Sequence, residues 1–219
     1  MLKSSDQARY HRSVHRAFSH VRYELRELGL LKASNVFDRT SYFYGSNDDK
    51  NVMAWAIFVE GNDPAIMLPS RRLHKSKAFR FCLRDIFRHE FAHVIEHSFY
   101  GFFCGEFKDD FIRTFAASVS NKAAVGYTAW RKTLQQDRDY KAGKLLCRTA
   151  NERKTWYYKH LLANYASEYA TTNASEDFAE TFMLWLKNGR DASRQRHRPG
   201  VYKKMLCIER AICTIKYQC

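Results

Sequence analysis

Two histidines and a glutamate in the segment His89-Glu90-Phe91-Ala92-His93 are the residues of this chain best suited to metal chemistry. On a helix, positions four apart project from the same side, so both imidazoles can bind one ion. Glu90 can reach a metal-bound water without binding the metal, as a general base does. The segment therefore predicts one Zn²⁺ ion and a hydrolytic reaction. The alternative is a pair of solvated or core histidines without a metal.

A third ligand is expected from the carboxylates further along the chain. Glu176 and Glu180 are four apart, hence on one face of a predicted helix, where like charges repel unless a cation relieves them. We expect Glu176 to bind the metal and Glu180 to accept from the free nitrogen of a ligand histidine. The alternative is an ordinary acidic first turn. His97 is the weaker candidate, because a straight helix rotates it about 80° from His89.

The two segments together resemble the gluzincin zinc peptidases. The run from Tyr169 to Glu180, Tyr-x-x-x-Asn-x-x-Glu-x-Phe-Ala-Glu, is similar to the catalytic domain of anthrax lethal factor and its relatives. The resemblance implies a zinc ion on His89, His93 and Glu176, with Glu90 as base. It also implies that Tyr169 stabilises the oxyanion, and it places Glu180 and Asn173 around the ligands.

A peptidase mechanism follows from these parts. The metal-activated water would lose its proton to Glu90 and attack a peptide carbonyl, and Glu90 would then protonate the leaving amine. The apolar run Val52–Val59 could pair with an extended protein or peptide substrate, which makes Ala54, Trp55 and Ala56 candidate cleft residues. The alternative is a buried core strand.

The surrounding pattern predicts an α+β fold: a mostly helical, zincin-like domain with a small N-terminal β-sheet. We expect one domain over residues 1–219, since the chain is long enough for one generous core. An amphipathic helix lies within residues 1–32 and ends near Gly29. Three strands are expected within residues 35–70, namely Val36–Tyr44, Val52–Val59 and Ala65–Leu68.

The remaining segments are predicted to be helical. The active-site helix covers residues 77–98, and Cys82 falls in its apolar pattern as a buried thiol. His93 and Glu176 are 83 positions apart, so we expect a helical insertion over residues 102–165. The Glu176 helix and a last helix reaching about Ile212 occupy residues 174–213.

The formal net charge of +14 indicates anionic partners, either nucleic acid or an acidic protein. Arg71–Lys77 and Arg194–Arg198 are the most basic segments. Two alternatives follow: a DNA-associated, SprT-like metalloprotease, which would use a third histidine, and a basic binding protein with a vestigial metal site. The lethal factor resemblance also suggests a toxin or effector protease.

Neither a membrane span nor a signal peptide is expected. No stretch approaches 18 uninterrupted apolar residues, and the first residues contain no apolar run. The expectation is therefore a cytoplasmic protein or one that leaves by a leaderless route.

Overall fold

The structure is a computed structural model, and it describes residues 4–29, 36–45, 53–59, 62–69, 77–99, 114–115, 162–167, 169–171 and 174–218. The chain divides into two compact units, one of residues 1–98 with 212–219 and the other of residues 99–211. Most of the predicted insertion at residues 102–165 lies outside the described residues. The single-domain interpretation stays a prediction.

The α+β class is confirmed, with helices dominating the described residues and three strands forming one small sheet. The helices are α1 (Ser4–Glu27), α2 (Val36–Arg39), α3 (Lys77–Ser98), α4 (Ala174–Lys187) and α5 (Pro199–Gln218). The strands are β1 (Ser41–Gly45), β2 (Trp55–Ile57) and β3 (Ala65–Pro69). Their order is β1-β3-β2, with β1 parallel and β2 antiparallel to β3. No helix among the described residues is both long and apolar enough to span a membrane.

Helix α1 buries the apolar stripe that the sequence predicts. Val14, Phe18, Val21 and Leu25 are buried, in steps of four, three and four that place them on one face. The helix ends at Glu27, and Gly29 follows with φ of 76°. The Gly29 amide donates to the carbonyl of Arg26 at 2.8 Å, which satisfies one of the last helical acceptors.

Helix α3 is held against α1 by aromatic packing and by one buried cation. The ring centroid of Phe18 on α1 lies 5.2 Å from that of Phe87 and 5.5 Å from that of Phe91. The Arg88 guanidinium, which is 8% exposed, donates to both carboxylate oxygens of Glu24 at 2.6 and 2.8 Å. This bidentate pair fixes the rotation of α3 immediately before His89.

Two expectations in the first unit were wrong. Residues 36–39 form a helical turn instead of the start of a strand, because Thr40 donates to the Val36 carbonyl from both its amide (2.8 Å) and its hydroxyl (2.7 Å). The strand begins only at Ser41. Cys82 is exposed, since the buried stripe of α3 starts one position later at Leu83.

In the second unit, α4 is joined to α5 by a short connector. Helix α4 ends at Lys187 and is followed by two left-handed residues, Gly189 with φ of 71° and Arg190 with φ of 66°. Glu209 on α5 accepts from the indole of Trp185 at 3.0 Å and from the amide of Ala192 at 3.3 Å. One carboxylate thus ties α4, the connector and α5 together. Helix α5 reaches Gln218, beyond the predicted end.

Candidate metal centre

His89 and His93 face each other on one side of α3. Their Nε2 atoms are 3.2 Å apart and their rings are nearly perpendicular, at 79°. His89 is buried and His93 half-buried. Two nitrogens bound to one tetrahedral zinc ion at about 2.0–2.1 Å would be about 3.3 Å from each other. The spacing of the two imidazoles therefore fits a shared ion.

Glu90 and Glu96 are the carboxylates that α3 supplies beside the histidines. Glu90, next to His89, is 5% exposed. The Glu96 Oε2 atom lies 3.8 Å from Nδ1 of His93, the ring nitrogen turned away from His89. Glu96 was not predicted as a site residue, although its i,i+3 spacing from His93 is a signal that could have found it.

His97 has a different environment from the other two histidines. It is exposed, and its ring stacks on Phe58 at 3.9 Å with an interplanar angle of 11°. Phe58 follows directly after β2, so this stack joins the end of the strand to the last turn of α3. Of the candidate cleft residues, Ala54 is buried, and Trp55 and Ala56 are half-buried.

Tyr169 and Glu176 lie together in the second unit. Tyr169 begins a 3₁₀ turn, Tyr169–Thr171, and Glu176 lies in the first turn of α4. The Tyr169 hydroxyl donates to Oε1 of Glu176 at 3.2 Å. The tyrosine side chain remains 52% exposed, and that of Glu176 is half-buried. The structure thus brings the predicted ligand and the predicted oxyanion donor into direct contact.

Asp177 is a buried acid beside Glu176 that the sequence did not single out. Its Oδ2 atom lies 2.5 Å from Nζ of Lys204 on α5, which is also buried. Burial raises the pKa of Asp177 to about 6, although the Lys204 ammonium acts in the opposite direction.

Glu180 lies one turn after Glu176 and is half-buried, while Asn173 lies outside the described residues.

The described residues contain one group of ligand types that could hold a metal ion: His89, His93 and Glu176. These are the same three residues that the sequence analysis predicts as metal ligands. Neither His97 nor Glu180 belongs to the group.

Comparison with known proteins finds no relative of this chain. No protein-family model, no curated protein and no solved structure matches the chain.

Proposed function

We propose that this chain is a zinc-dependent endopeptidase, with His89, His93 and Glu176 as the metal ligands. The observation that carries the proposal is the 3.2 Å separation of the two facing Nε2 atoms. Two nitrogens and one carboxylate oxygen suit a catalytic zinc site, in which three protein ligands leave a fourth position open. Among the described residues, these three form a group whose ligand atoms all lie within 4.8 Å of one another.

Two facing imidazoles could also share a single proton without any metal. Glu90 is buried on the same helix, next to His89, where the proposed reaction needs its base. The zinc content of the purified protein distinguishes a shared ion from a shared proton.

In the proposed reaction, a zinc ion held by His89, His93 and Glu176 would supply a Lewis acid and would lower the pKa of water to about 7. Glu90 accepts the proton of the attacking water and returns it to the leaving amine. The Tyr169 hydroxyl donates to the oxyanion of the substrate carbonyl. Glu96 orients the His93 ring from the Nδ1 side, where the two groups are 3.8 Å apart.

Strand β2 is the proposed binding edge for an extended peptide. It bonds to β3 on one side, and no other strand of the described residues pairs with its second edge. Open edges bind extended chains through backbone hydrogen bonds. Because Phe58 directly follows the strand and stacks on His97, a peptide on this edge would run beside the last turns of α3.

Metal analysis of single variants tests the ligand set. We expect one zinc per chain in the purified protein and a loss of zinc in His89→Ala, His93→Ala and Glu176→Ala. The matched control is His97→Ala on the same helix, which should keep its zinc. Full zinc content in His89→Ala or His93→Ala would contradict the proposal.

Cleavage of a fluorogenic peptide library tests the base. Glu90→Gln should keep its zinc but cleave about 10²–10⁴-fold more slowly, because the proton acceptor is removed. Removing zinc with a chelator should abolish cleavage, and adding zinc should restore it. Wild-type cleavage by Glu90→Gln would leave a basic binding protein with a vestigial metal site as the better description.

A second candidate function is binding to nucleic acid through α1, in line with a DNA-associated protease. Arg9, Arg12 and Arg16 are exposed and lie on one face of the helix, three and four positions apart. Arg22 and Arg26, further along, are both paired with Asp38. No ion pair with another described residue neutralises the first three, so they form a cationic stripe that a phosphate backbone could neutralise.

Salt dependence distinguishes this binding from a solvated basic surface. Each phosphate neutralised contributes about 0.9 to the slope of log K against log salt. Replacing Arg9, Arg12 and Arg16 by Gln should reduce the slope for duplex DNA by about 2–3. Replacing Arg22 and Arg26 instead should change it less, since both already bind Asp38. Equal slopes for the two variants would rule out the stripe as the binding surface.

A further inference from the structure

Five consecutive backbone carbonyls, of residues 162–166, all accept hydrogen bonds from the first two turns of α5 or from the residue before it. Arg198 donates to the carbonyls of Leu162 (2.7 Å), Tyr165 and Ala166 (3.1 Å). The amides of Gly200 and Val201 donate to Ala163 at 2.9 and 3.3 Å. Lys204 Nζ donates to Asn164 at 2.6 Å. We call this set of contacts the carbonyl clamp.

The carbonyl clamp is tight enough to require a glycine. A Cβ atom on Gly200 would lie 2.7 Å from the backbone Cα of Asn164, a distance that a real Cβ does not tolerate. The loop therefore lies against the start of α5, where helical amides have no intrahelical acceptor. Arg198, 8% exposed, is committed to backbone carbonyls of its own unit.

The two residues of the proposed site in this unit, Tyr169 and Glu176, are both connected to residues of the carbonyl clamp. Tyr169 is three residues beyond its last carbonyl, and Ser167 between them accepts from the amide of Ala170 at 3.1 Å. Glu176 immediately precedes Asp177, whose carboxylate meets Lys204 Nζ at 2.5 Å. The same ammonium lies 4.1 Å from the centre of the Tyr165 ring. Lys204 thus contacts both the loop before Tyr169 and the turn of α4 that carries Glu176.

We propose that Lys204 and Arg198 are positioning residues for Glu176 and Tyr169, respectively. Lys204 holds the first turn of α4 through Asp177, and Arg198 holds the loop that leads to Tyr169. This inference rests on the proposed role of Glu176 as a zinc ligand. Neither Lys204 nor Arg198 is one of the proposed metal ligands, so both would act through the residues that they hold.

Electrostatics alone predicts the opposite effect of removing Lys204, which makes zinc affinity a decisive measurement. Taking a positive charge away from the neighbourhood of Zn²⁺ should strengthen binding by Coulomb's law. Loss of positioning should weaken it, and partners that orient metal ligands are typically worth about 10–100-fold in affinity. The sign of the change therefore separates the two effects.

The experiment is a zinc titration of the full chain against a chromophoric chelator. We expect Lys204→Met to weaken zinc binding about 10-fold or more, and Lys204→Arg to restore most of that loss. The matched control is Lys203→Met, an exposed neighbour on α5, which should bind as the wild type does. If Lys204→Met does not fold, Lys204→Gln keeps a donor at the buried position and should show a weaker loss of the same sign.

A double variant shows whether Lys204 acts through Glu176. In a Glu176→Ala background, Lys204→Met should change zinc affinity by less than about twofold, because coupled residues are not additive. Unchanged or tighter zinc binding in Lys204→Met and Lys204→Gln, with a loss in Glu176→Ala, would overturn the positioning role and leave the ligand set intact. Wild-type zinc affinity in Glu176→Ala would overturn both.

Discussion

Two of the three proposed ligands, His93 and Glu176, have a neighbour that the five-residue motif does not specify. His93 has Glu96 at 3.8 Å on its outer ring nitrogen, and Glu176 has the hydroxyl of Tyr169 at 3.2 Å on one oxygen. Such neighbours restrict the rotation of a ligand side chain before any ion arrives. The Tyr169 hydroxyl is therefore in a position to serve two roles, holding Glu176 and stabilising the oxyanion.

Replacing Tyr169 by Phe should separate these two roles. If the hydroxyl serves the oxyanion, kcat falls about 10²–10³-fold, as for other lost oxyanion donors, while zinc affinity changes little. This is the outcome that we expect. A loss of zinc affinity as large as the loss of kcat would instead assign the hydroxyl to holding Glu176. Both quantities can be measured on the same preparation, by peptide cleavage and by chelator competition.

Asp38 should give the first unit a small, pH-dependent stabilisation. Hydrogen bonds from Arg26 and Arg22 lower the pKa of its carboxyl below the usual 3.8. A lowered folded pKa means that the carboxylate stabilises the fold above that ordinary value, and that this contribution is lost as pH falls through the folded pKa. Its side chain is 40% exposed, so the effect is limited to about 0.5–1 kcal/mol.

The variant Asp38→Asn checks this pH dependence by urea denaturation. At pH 7 its free energy of unfolding should be about 0.5–1 kcal/mol lower than that of the wild type. The gap should narrow as pH falls below about 4, because the wild-type carboxyl is then protonated as well. A gap that stays constant over this range would show that the arginines do not act through the charge of Asp38.

Whole elements were predicted well where a long apolar period defines them. Residues 77–98 form one helix with the predicted bounds, since an apolar stripe, buried from Leu83 to Ile95, runs along it. The start of the predicted strand 36–44 was wrong because a local interaction, between Thr40 and the Val36 carbonyl, makes residues 36–39 helical. Lys204 and Asp177 could not be predicted as partners, because they are 27 positions apart and no periodicity links them.

The attachment of α3 to α1 depends on Arg88. Replacing it by Met removes the guanidinium that neutralises Glu24 and should lower the free energy of unfolding by about 2–3 kcal/mol, somewhat below a fully buried pair because Glu24 is 21% exposed. Arg84→Met on the exposed face of the same helix should change it by less than about 0.5 kcal/mol. Equal urea midpoints for the two variants would contradict this role.

The end of α4 offers a test of backbone conformation without side-chain contacts. Apart from Gly189 and its chain neighbours, no atom of the described residues lies within 4 Å of where a Gly189 Cβ would be, and its φ is 71°. Gly189→Ala should therefore destabilise by about 1 kcal/mol through the left-handed conformation alone. Arg190→Gly, at φ of 66°, should change stability in the opposite direction. Thermal melts of the two variants that shift in the same direction would refute the explanation.

Over the whole molecule, the two compact units are not consecutive in the chain. The first is completed by residues 212–219, which follow all of the second. Ile215 in this segment is 1% exposed. Its burial therefore contributes to the unit that carries His89 and His93, although more than 120 positions separate it from them.

Hydrogen exchange can show which unit depends on Ile215. Ile215→Ala should destabilise by about 2–4 kcal/mol, as for other buried aliphatic truncations, and should speed exchange in α1 and α3. Cys213→Ser, at an exposed position two residues earlier, is the control. Faster exchange confined to α4 and the first half of α5 would assign Ile215 to the other unit.

This discontinuity has a consequence for synthesis on the ribosome. The nascent chain carries His89 and His93 out of the exit tunnel before the 113 residues of the second unit have been made. At about 5–20 residues per second, that interval lasts about 6–23 s before residue 212 is added. During this time the first unit exists without Ile215. We therefore expect the histidine-bearing unit to reach its final stability only after the second unit has been synthesised, so that stable capture of zinc comes late in the making of the chain.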